Sequence, residues 1–519
     1  MREGRYRALC LAVVLTGGAV AHAAEKSCSY PRLPYPTPLS PAMPYDVNYK
    51  EKKSLEDRKQ FADVQRLFDI LSWQTFIALN WPVGPGGQPR AKLTDSGPRL
   101  WEGWKESFEV YREDGRRPAP WGSSELKKAA GAKAGERLLL MTQKVGHRGT
   151  VVDETLQAFS GPLIDQNGRW VRYEVLMNQE EFDYVVDSTF YNLEGQFAFT
   201  QSGGKVGFPA GDSSTKKRGA MELKLSWKEL DPKKDIRDRF LRITALIPKN
   251  PSEPTKGYER REMGLVGMHI AIKTKSSPTW IWSTFEHVDN VEVNPLAQVK
   301  NNEGKLVSLS PLFNNPNAPA AAVNVRPAVW KTTTDACGNT VQQWDPADRT
   351  PVQVTRTIPI PADKQLLNCE VQALLAGTAL QYYELVDTQW PTDPSAPAIP
   401  GGPGTAPGSV VHKAPGNITP VFLTNTTMET YFQRGNQTAG QQEEGGPTDD
   451  QVVFATESCT GCHYSAGIVT DYTINAKTGQ KCATFGGAGN GDFSWLMAQK
   501  AQWRNPIAQP PRHASGKEE

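Results

Sequence analysis

Near the end of the chain stands Ser458-Cys459-Thr460-Gly461-Cys462-His463. Two cysteines separated by two residues and followed at once by histidine form the attachment sequence of c-type haem. The order serves the chemistry. Each thiol adds across one porphyrin vinyl group to give a thioether, and the two intervening residues bring both sulfurs to one edge of the macrocycle. A histidine directly after the second cysteine reaches the iron on the proximal side. One covalent haem c is therefore expected, with Cys459 and Cys462 as its anchors and His463 as an axial iron ligand. Other uses of a Cys-x-x-Cys pair find less support. A redox dithiol belongs with a thioredoxin-like βαβ pattern, and none surrounds this one. A structural zinc site needs two more ligands nearby, and only Cys482 follows within reach.

The start of the chain agrees with that chemistry. Arg2, Arg5 and Arg7 precede an apolar run over residues 8–21, and Ala21-His22-Ala23 is a small-x-small cleavage sequence. This is the pattern of a secretory signal peptide over residues 1–23, with an apolar run too short to span a bilayer. A cut after Ala21 would instead leave His22 as the amino terminus and raise a copper site built on the terminal amine, for which no partner histidine is identifiable. Export implies the periplasm, where bacterial c-type attachment takes place. No further long apolar run follows, so no integral membrane segment is expected after signal removal. Cys10 falls in the signal and two cysteines take haem, leaving Cys28, Cys337, Cys369 and Cys482 for two disulfides in an oxidising space. Three pairings are possible, of which Cys337 with Cys369 closes the shortest loop. The formal net charge of +2 is carried entirely by Arg2, Glu3, Arg5 and Arg7. Nucleic acid and anionic membrane surfaces are therefore not expected partners.

At 519 residues the chain is long enough for more than one domain, and its 45 glycines and 40 prolines predict a loop-rich build. Residues 24–390 read as one body, 391–416 as a proline- and glycine-rich linker, and 417–519 as the haem-binding region. In the body, a proline-rich arm over 30–45 leads into a helix over roughly 55–79, on which Phe61, Val64, Leu67, Phe68, Leu71 and Thr75 recur at helical spacing. A second helix is predicted over 100–112, with Trp101, Trp104, Phe108 and Tyr111 on a core-facing stripe. From 138 to 293 the pattern turns to strands, with a hairpin turn at Asp165-Gln166-Asn167-Gly168 and a short helix at 179–190. Met221, Leu223, Leu225 and Trp227 alternate as on a half-buried strand. Residues 301–334 read as loop and 362–385 as helix. In the last region, 417–432 carries apolar residues expected beside the haem, 450–458 a helix that delivers the motif, and Asp492 the cap of a final helix over 493–502.

A second constellation lies within the body. Strand-like runs at 265–274 and 279–287, joined by Lys275-Ser276-Ser277-Pro278, predict a hairpin in which His269 faces Thr284 and lies diagonal to Glu286. Trp280 and Trp282 share that face. Such a set could form a metal or substrate pocket, with Glu286 orienting His269 as a base or ligand. His287-Val288-Asp289 adds a His-x-Asp pair at the spacing that opens an iron-binding facial triad. The competing use is a core histidine satisfied beside structural charges, and a one-residue slip of register would exchange the faces. His269, Glu286, His287 and Asp289 are thus the candidate catalytic residues of the body.

Helix, haem sequence, loop and terminal helix together resemble a trimmed class I cytochrome c over about residues 448–504. The resemblance implies an all-α module and a methionine on the iron's distal face, supplied by the loop after the motif. That loop, residues 464–491, holds neither methionine nor histidine. Met497 is the nearest downstream candidate for the distal ligand, although inside the predicted last helix it has a packing role open to it. Met428, His269, His412 and an open iron are the alternatives. A six-coordinate iron with thioether sulfur passes single electrons at fairly high potential, whereas an open site binds peroxide, oxygen or nitric oxide. The blocks Leu71-Ser72-Trp73-Gln74-Thr75-Phe76, Trp282-Ser283-Thr284-Phe285-Glu286-His287-Val288-Asp289-Asn290 and Asp492-Phe493-Ser494 are also similar to a group of bacterial single-haem proteins that carry a large body before a terminal haem sequence. That resemblance implies a periplasmic cytochrome and no particular substrate.

The expected fold class is α+β: a large mixed body with an antiparallel sheet and flanking helices, followed by a small all-α cytochrome c-like haem module. The expected function is electron transfer to or from a periplasmic redox partner protein or a small-molecule donor or acceptor, as an oxidoreductase if the body is an enzyme. Haem-based small-ligand binding or sensing, a structural haem, and peroxidase-like chemistry at an open iron are the alternatives.

Overall fold

A computed structural model describes residues 39–139, 161–249, 257–391, 418–420, 423–433, 458–464, 466–486 and 490–507. The expected signal peptide, Cys28, the linker beyond Pro391, His412 and residues 450–457 of the helix predicted over 450–458 lie outside the described residues.

Helices α1 (Tyr49–Asp57) and α2 (Phe61–Leu79) come first. The single helix expected over 55–79 is interrupted where Lys59 takes a φ of 59°, a left-handed conformation that a right-handed helix cannot contain. Val64, Leu67, Phe68, Leu71 and Phe76 are buried on α2. The aromatic stripe at 100–112 is likewise not one helix. A 3-10 turn (Leu100–Gly103), strand β1 (Lys105–Glu106) and the short α3 (Ser107–Val110) share it. Trp101, Trp104 and Tyr111 are nevertheless buried in apolar clusters, which is the packing role.

The body continues with α4 (Glu125–Ala129), β2 (Arg137–Leu138), β3 (Arg172–Met177), α5 (Gln179–Asp187), α6 (Leu193–Gln201), β4 (Met221–Glu229), β5 (Arg242–Pro248), β6 (Tyr258–Ile272) and β7 (Ile281–His287). Two small hairpins follow, β8 (Gln298–Lys300) with β9 (Leu306–Ser308) and β10 (Lys331–Thr334) with β11 (Thr340–Gln343). After α7 (Ala362–Leu374) come β12 (Tyr383–Pro391) and β13 (Ile418–Thr419). The helix expected to run to 385 ends early because Gly377, at a φ of 84°, turns the chain out of it. The last elements are α8 (Cys459–Tyr464), the hairpin β14 (Val469–Ile474) with β15 (Lys481–Phe485), and α9 (Leu496–Lys500).

Among the described residues nine strands form one sheet in the order β1-β3-β4-β6-β7-β12-β13, with β5 beside β6 and β2 beside β5. Gly264 faces both Lys228 and Arg242, and Gly267 faces both Ser226 and Glu286. Strands β5 and β7 therefore lie end to end along one edge of the long β6, with β4 along the other. The sheet curls enough for Arg137 of β2 to pair with Glu174 of β3. This is an α+β body, as the sequence predicts.

Alternation divides β4, β6 and β7 between two faces. Leu223, Leu225, Met268, Ile270 and Phe285 belong to the main apolar cluster with α2. Phe76 stacks on Phe285 with ring centroids 4.3 Å apart, and Phe68 stacks on Trp390 at 4.4 Å. On the other face Lys224, His269 and Thr284 stand in one cross-strand row and Glu222, Ala271 and Trp282 in another. The carboxy-terminal segments pack over this second, more polar face.

Those segments are not helical throughout. Strands β14 and β15 pair antiparallel, as suits the run Val469-Thr470-Asp471-Tyr472-Thr473-Ile474 followed by a turn in which Gly479 has a φ of 70°. Asp492 does not cap the last helix. It and Phe493 take φ values of 47° and 69°, and α9 begins only at Leu496. Ile468, Val469, Phe493, Leu496 and Trp503 share one apolar cluster with Phe182, Val185 and Phe190 of the body. Cys337 is bonded to Cys482, not to Cys369, which is in a disulfide of its own. Sequence proximity loses here to the meeting of two hairpins, where the Asn475 amide also donates to the Ala336 carbonyl. Among the described residues no helix is long and apolar enough to cross a membrane.

Candidate functional site

Helix α8 is six residues long, and on it Cys459, Cys462 and His463 stand at positions i, i+3 and i+4. That spacing puts all three on one helical face. The face borders a cleft whose other lining includes Val175 of β3, Lys224 of β4, His269 of β6 and Trp282 of β7, with Leu423 and Glu429 from the segment before the motif. The cleft holds about 840 Å³ of atom-free space, part of it open to solvent. Gln389 of β12 anchors the start of α8: its side-chain oxygen accepts from the backbone N–H of Thr460 at 2.8 Å, and its amide donates to the Ser458 hydroxyl at 2.9 Å.

Neither Cys459 nor Cys462 is in a disulfide. Burial pushes the Cys459 thiol well above its ordinary value, and the charge of Glu429 pushes it further. A thiol kept protonated in this way is a poor attacking group, which sets it apart from a thiolate of the redox-dithiol kind.

His463 Nδ1 lies 2.7 Å from the Phe493 carbonyl oxygen. A carbonyl only accepts, so Nδ1 carries the proton and Nε2 is the nitrogen with the lone pair. The ring packs on Trp282, with centroids 4.3 Å apart. The carbonyl is aimed by the two left-handed residues Asp492 and Phe493, a conformation that costs about 1 kcal/mol or more at a non-glycine position. Three contacts hold Asp492 there. Its carboxylate accepts from the backbone N–H of Phe208 at 2.7 Å and pairs with the Lys273 ammonium, and its carbonyl accepts from Trp280 Nε1 at 3.0 Å.

His269 sits opposite Thr284, in the expected register. Its carboxylate partner, however, is Glu429, whose two oxygens lie 3.0 and 3.1 Å from His269 Nε2. Lys224 Nζ is 3.8 Å from the same carboxylate. Burial by itself would raise the Glu429 carboxyl, but the charges and hydrogen bonds of His269, then Lys224 and the Asn425 N–H, outweigh it and hold it down at about 2.

Glu286 does not orient His269. It is fully buried, 2.9 Å from the Arg356 guanidinium, and accepts from the backbone N–H of Thr426 at 2.7 Å and from the Thr426 hydroxyl. His287 and Asp289 are engaged in the fold instead of opening towards a metal. His287 Nε2–H donates to the Arg239 carbonyl at 3.0 Å, Nδ1 accepts from the Asp289 N–H at 3.1 Å, and Asp289 takes both arms of Arg239 at 2.6 Å. Among the described residues no group of three or more His, Cys, Asp or Glu side chains is placed to hold a metal ion.

Of the side chains weighed for the far face of the iron, His269 lines the cleft. Met497 is fully buried in the apolar cluster with Phe190, and Met428 in a third cluster with Trp170. Glu429 and Lys224 carry no motif of their own, and Phe493, although part of the Asp492-Phe493-Ser494 block, acts through its backbone carbonyl, which no residue type marks. The nearest signal was the apolar stretch of residues 417–432, within which Glu429 is the one carboxylate. No protein-family model, curated protein or solved structure matches the chain.

Proposed function

We propose that this chain is an exported c-type cytochrome with one covalent haem, held by thioethers at Cys459 and Cys462 and by His463 on the iron, that carries electrons in the periplasm. One observation carries the proposal: both thiols and the imidazole share a helical face that borders one cleft, and the imidazole is already held in its ligating tautomer by the Phe493 carbonyl. The donor set fits the group, since neither cysteine is in a disulfide. A haem seated there supplies a one-electron iron couple. The rest is the work of this chain. Phe493 fixes the Nδ1 proton of His463 and makes the ring a stronger donor at Nε2. Val175, Trp282, Leu423 and Leu496 give the cleft apolar surface that limits water. In this reading the haem-binding region shares a core with the body and is not a free-standing cytochrome module.

A second reading has its own support. The pair of His269 with an ionised Glu429 gives the cleft a proton-bearing group that a simple electron carrier does not require. On that reading the cleft also admits a small ligand on the far side of the iron. The test begins with protein made in a host able to attach c-type haem, followed by intact mass and visible spectra. A colourless product with the mass of bare polypeptide overturns the proposal. For the coloured protein, a reduced spectrum unchanged by carbon monoxide supports electron transfer alone, and a rapid change supports the ligand-binding reading.

A further inference from the structure

A second cleft, separate from the first, lies among β3, β4, β5, β6 and the loop at 346–349, and holds about 790 Å³ of atom-free space open in part to solvent. Five cations line it, Arg169, Arg172, Lys249, Arg261 and Arg349, against two carboxylates, Glu229 and Glu259. We propose that it binds a small oxyanion, a carboxylate or a phosphate, with the Arg172 guanidinium as the fork that receives it.

The argument turns on where the charges are spent. Glu229 lies 2.8 Å from Arg169 and 2.9 Å from Arg261, and Glu259 lies 2.7 Å from Arg261. Arg349 donates to the carbonyls of Pro346 and Asp348 at 2.8 and 2.7 Å, which fixes it at the rim. Arg172 stands apart. It is only 8% exposed, it lines the cleft, and among the described residues its guanidinium has no hydrogen bond or ion pair. Burial pulls it down to about 10. Glu229 and Glu259 act on it only through their charge, so its guanidinium donors are left for a ligand in the cleft. A ligand that brings further negative charge offsets the cost of burying the guanidinium, and residues kept for function against stability have this character. The planar fork selects an oxyanion able to take two parallel hydrogen bonds. Trp170 and Ile247, also in the lining, lower the local dielectric and strengthen such a contact.

The site does not depend on the haem reading, and neither does its test. Calorimetric titrations of the full-length purified protein with inorganic phosphate and with succinate, at matched chloride concentration, separate the two sources of oxyanion. Saturable binding of either one is expected, weakened at least about tenfold in Arg172→Gln. Without anion, Arg172→Gln is expected to melt within a few degrees of the parent, because it removes a largely buried charge that no hydrogen bond or direct ion pair holds. Should that variant not fold, the rim double variant Lys249→Gln/Arg349→Gln is expected to weaken the same binding and flatten its salt dependence. Binding no tighter than about 1 mM for both anions, or affinity unchanged in the folded Arg172→Gln or in the rim variant, overturns the proposal.

Discussion

The imidazole of His463 is tied at 2.7 Å to the carbonyl of Phe493, a residue that reaches it only because Asp492 and Phe493 are both left-handed. Strain at such a position persists where the surroundings over-determine it, and here Lys273, Phe208 and Trp280 do so. Asp492→Ala loses the carboxylate contacts and keeps the strain. Asp492→Gly loses the same contacts but relieves the φ of 47°. Both variants leave the largely buried Lys273 without its ion-pair partner, at a cost of about 3 kcal/mol or more. The glycine variant is expected to be the more stable of the two by about 1 kcal/mol. Urea denaturation of the pair decides it, and equal midpoints would show that Asp492 carries no backbone strain.

The same loop predicts the sign of a redox effect. A carbonyl that accepts from Nδ1–H makes an imidazole a better donor and favours oxidised iron. Lys273→Met releases Asp492 and loosens the Phe493 carbonyl without touching the ring. If the proposed haem is present, its midpoint potential is expected to rise in this variant. Spectroelectrochemistry on parent and variant measures it. A lowered stability with an unchanged potential would leave the loop with a structural role only.

What was legible in the sequence follows from the range of the contacts. The register of the β6–β7 hairpin reads correctly because its alternation is local, and His269 does face Thr284, but the connection is wider than the expected turn, running from 273 to 280, and Trp280 stands outside β7 at a φ of 66°. The partner of His269 is not legible, since Glu429 lies 160 residues away in a stretch without periodicity. The segments 71–76 and 282–290 meet in space for reasons that spacing cannot express: Ser72 shares hydrogen bonds of 2.7 Å with Ser283 and with Thr388, and Trp73 Nε1 donates to Asn368. The aromatics at 100–112 have helical spacing, yet a 3-10 turn, a strand and a single helical turn bury them as well. The hairpin at 469–485 carries β-branched and aromatic residues, Val469, Thr470, Tyr472, Thr473 and Ile474, before a glycine turn. Resemblance to a helical cytochrome module draws the eye past both signals.

His287 predicts how stability depends on pH. It is fully buried and stacked on Phe240, with centroids 4.4 Å apart. Burial drives its value down to about 4, against the partial compensation of Asp289. An unfolded histidine titrates near 6.5. Between about 6.5 and 4 the unfolded chain therefore takes up a proton that the folded one refuses. The contribution of this group is complete above pH 6.5 and is lost as the pH falls through 4, by roughly 3 kcal/mol in all. Glu429, held at about 2, loses its own contribution only below about pH 4.5, so the two windows separate. Burial holds Glu106, Glu384 and Asp387 up to about 7, and they titrate in the same range with the opposite sign, so the readout is a difference: in urea unfolding from pH 7 to 4 the parent is expected to lose stability relative to His287→Gln. A difference between parent and variant that stays constant from pH 7 to 4 would remove His287 from the pH dependence.

The Cys337–Cys482 disulfide spans 145 residues of sequence and joins the β10–β11 hairpin to the β14–β15 hairpin. Closing so long a loop restricts the unfolded chain, and losing it is expected to cost about 2–5 kcal/mol. The cleft need not share that loss. Its walls come from β3, β4, β6 and β7 and from α8, and α8 is anchored by Gln389 of β12. The bond itself lies on the hairpin beyond them. Cys337→Ser/Cys482→Ser is therefore expected to lower the urea midpoint while leaving the visible spectrum of the coloured protein unchanged at low denaturant. A spectrum that shifts with the disulfide would mean that the terminal hairpin, through Val469 and its contacts with the body, sets the geometry around His463.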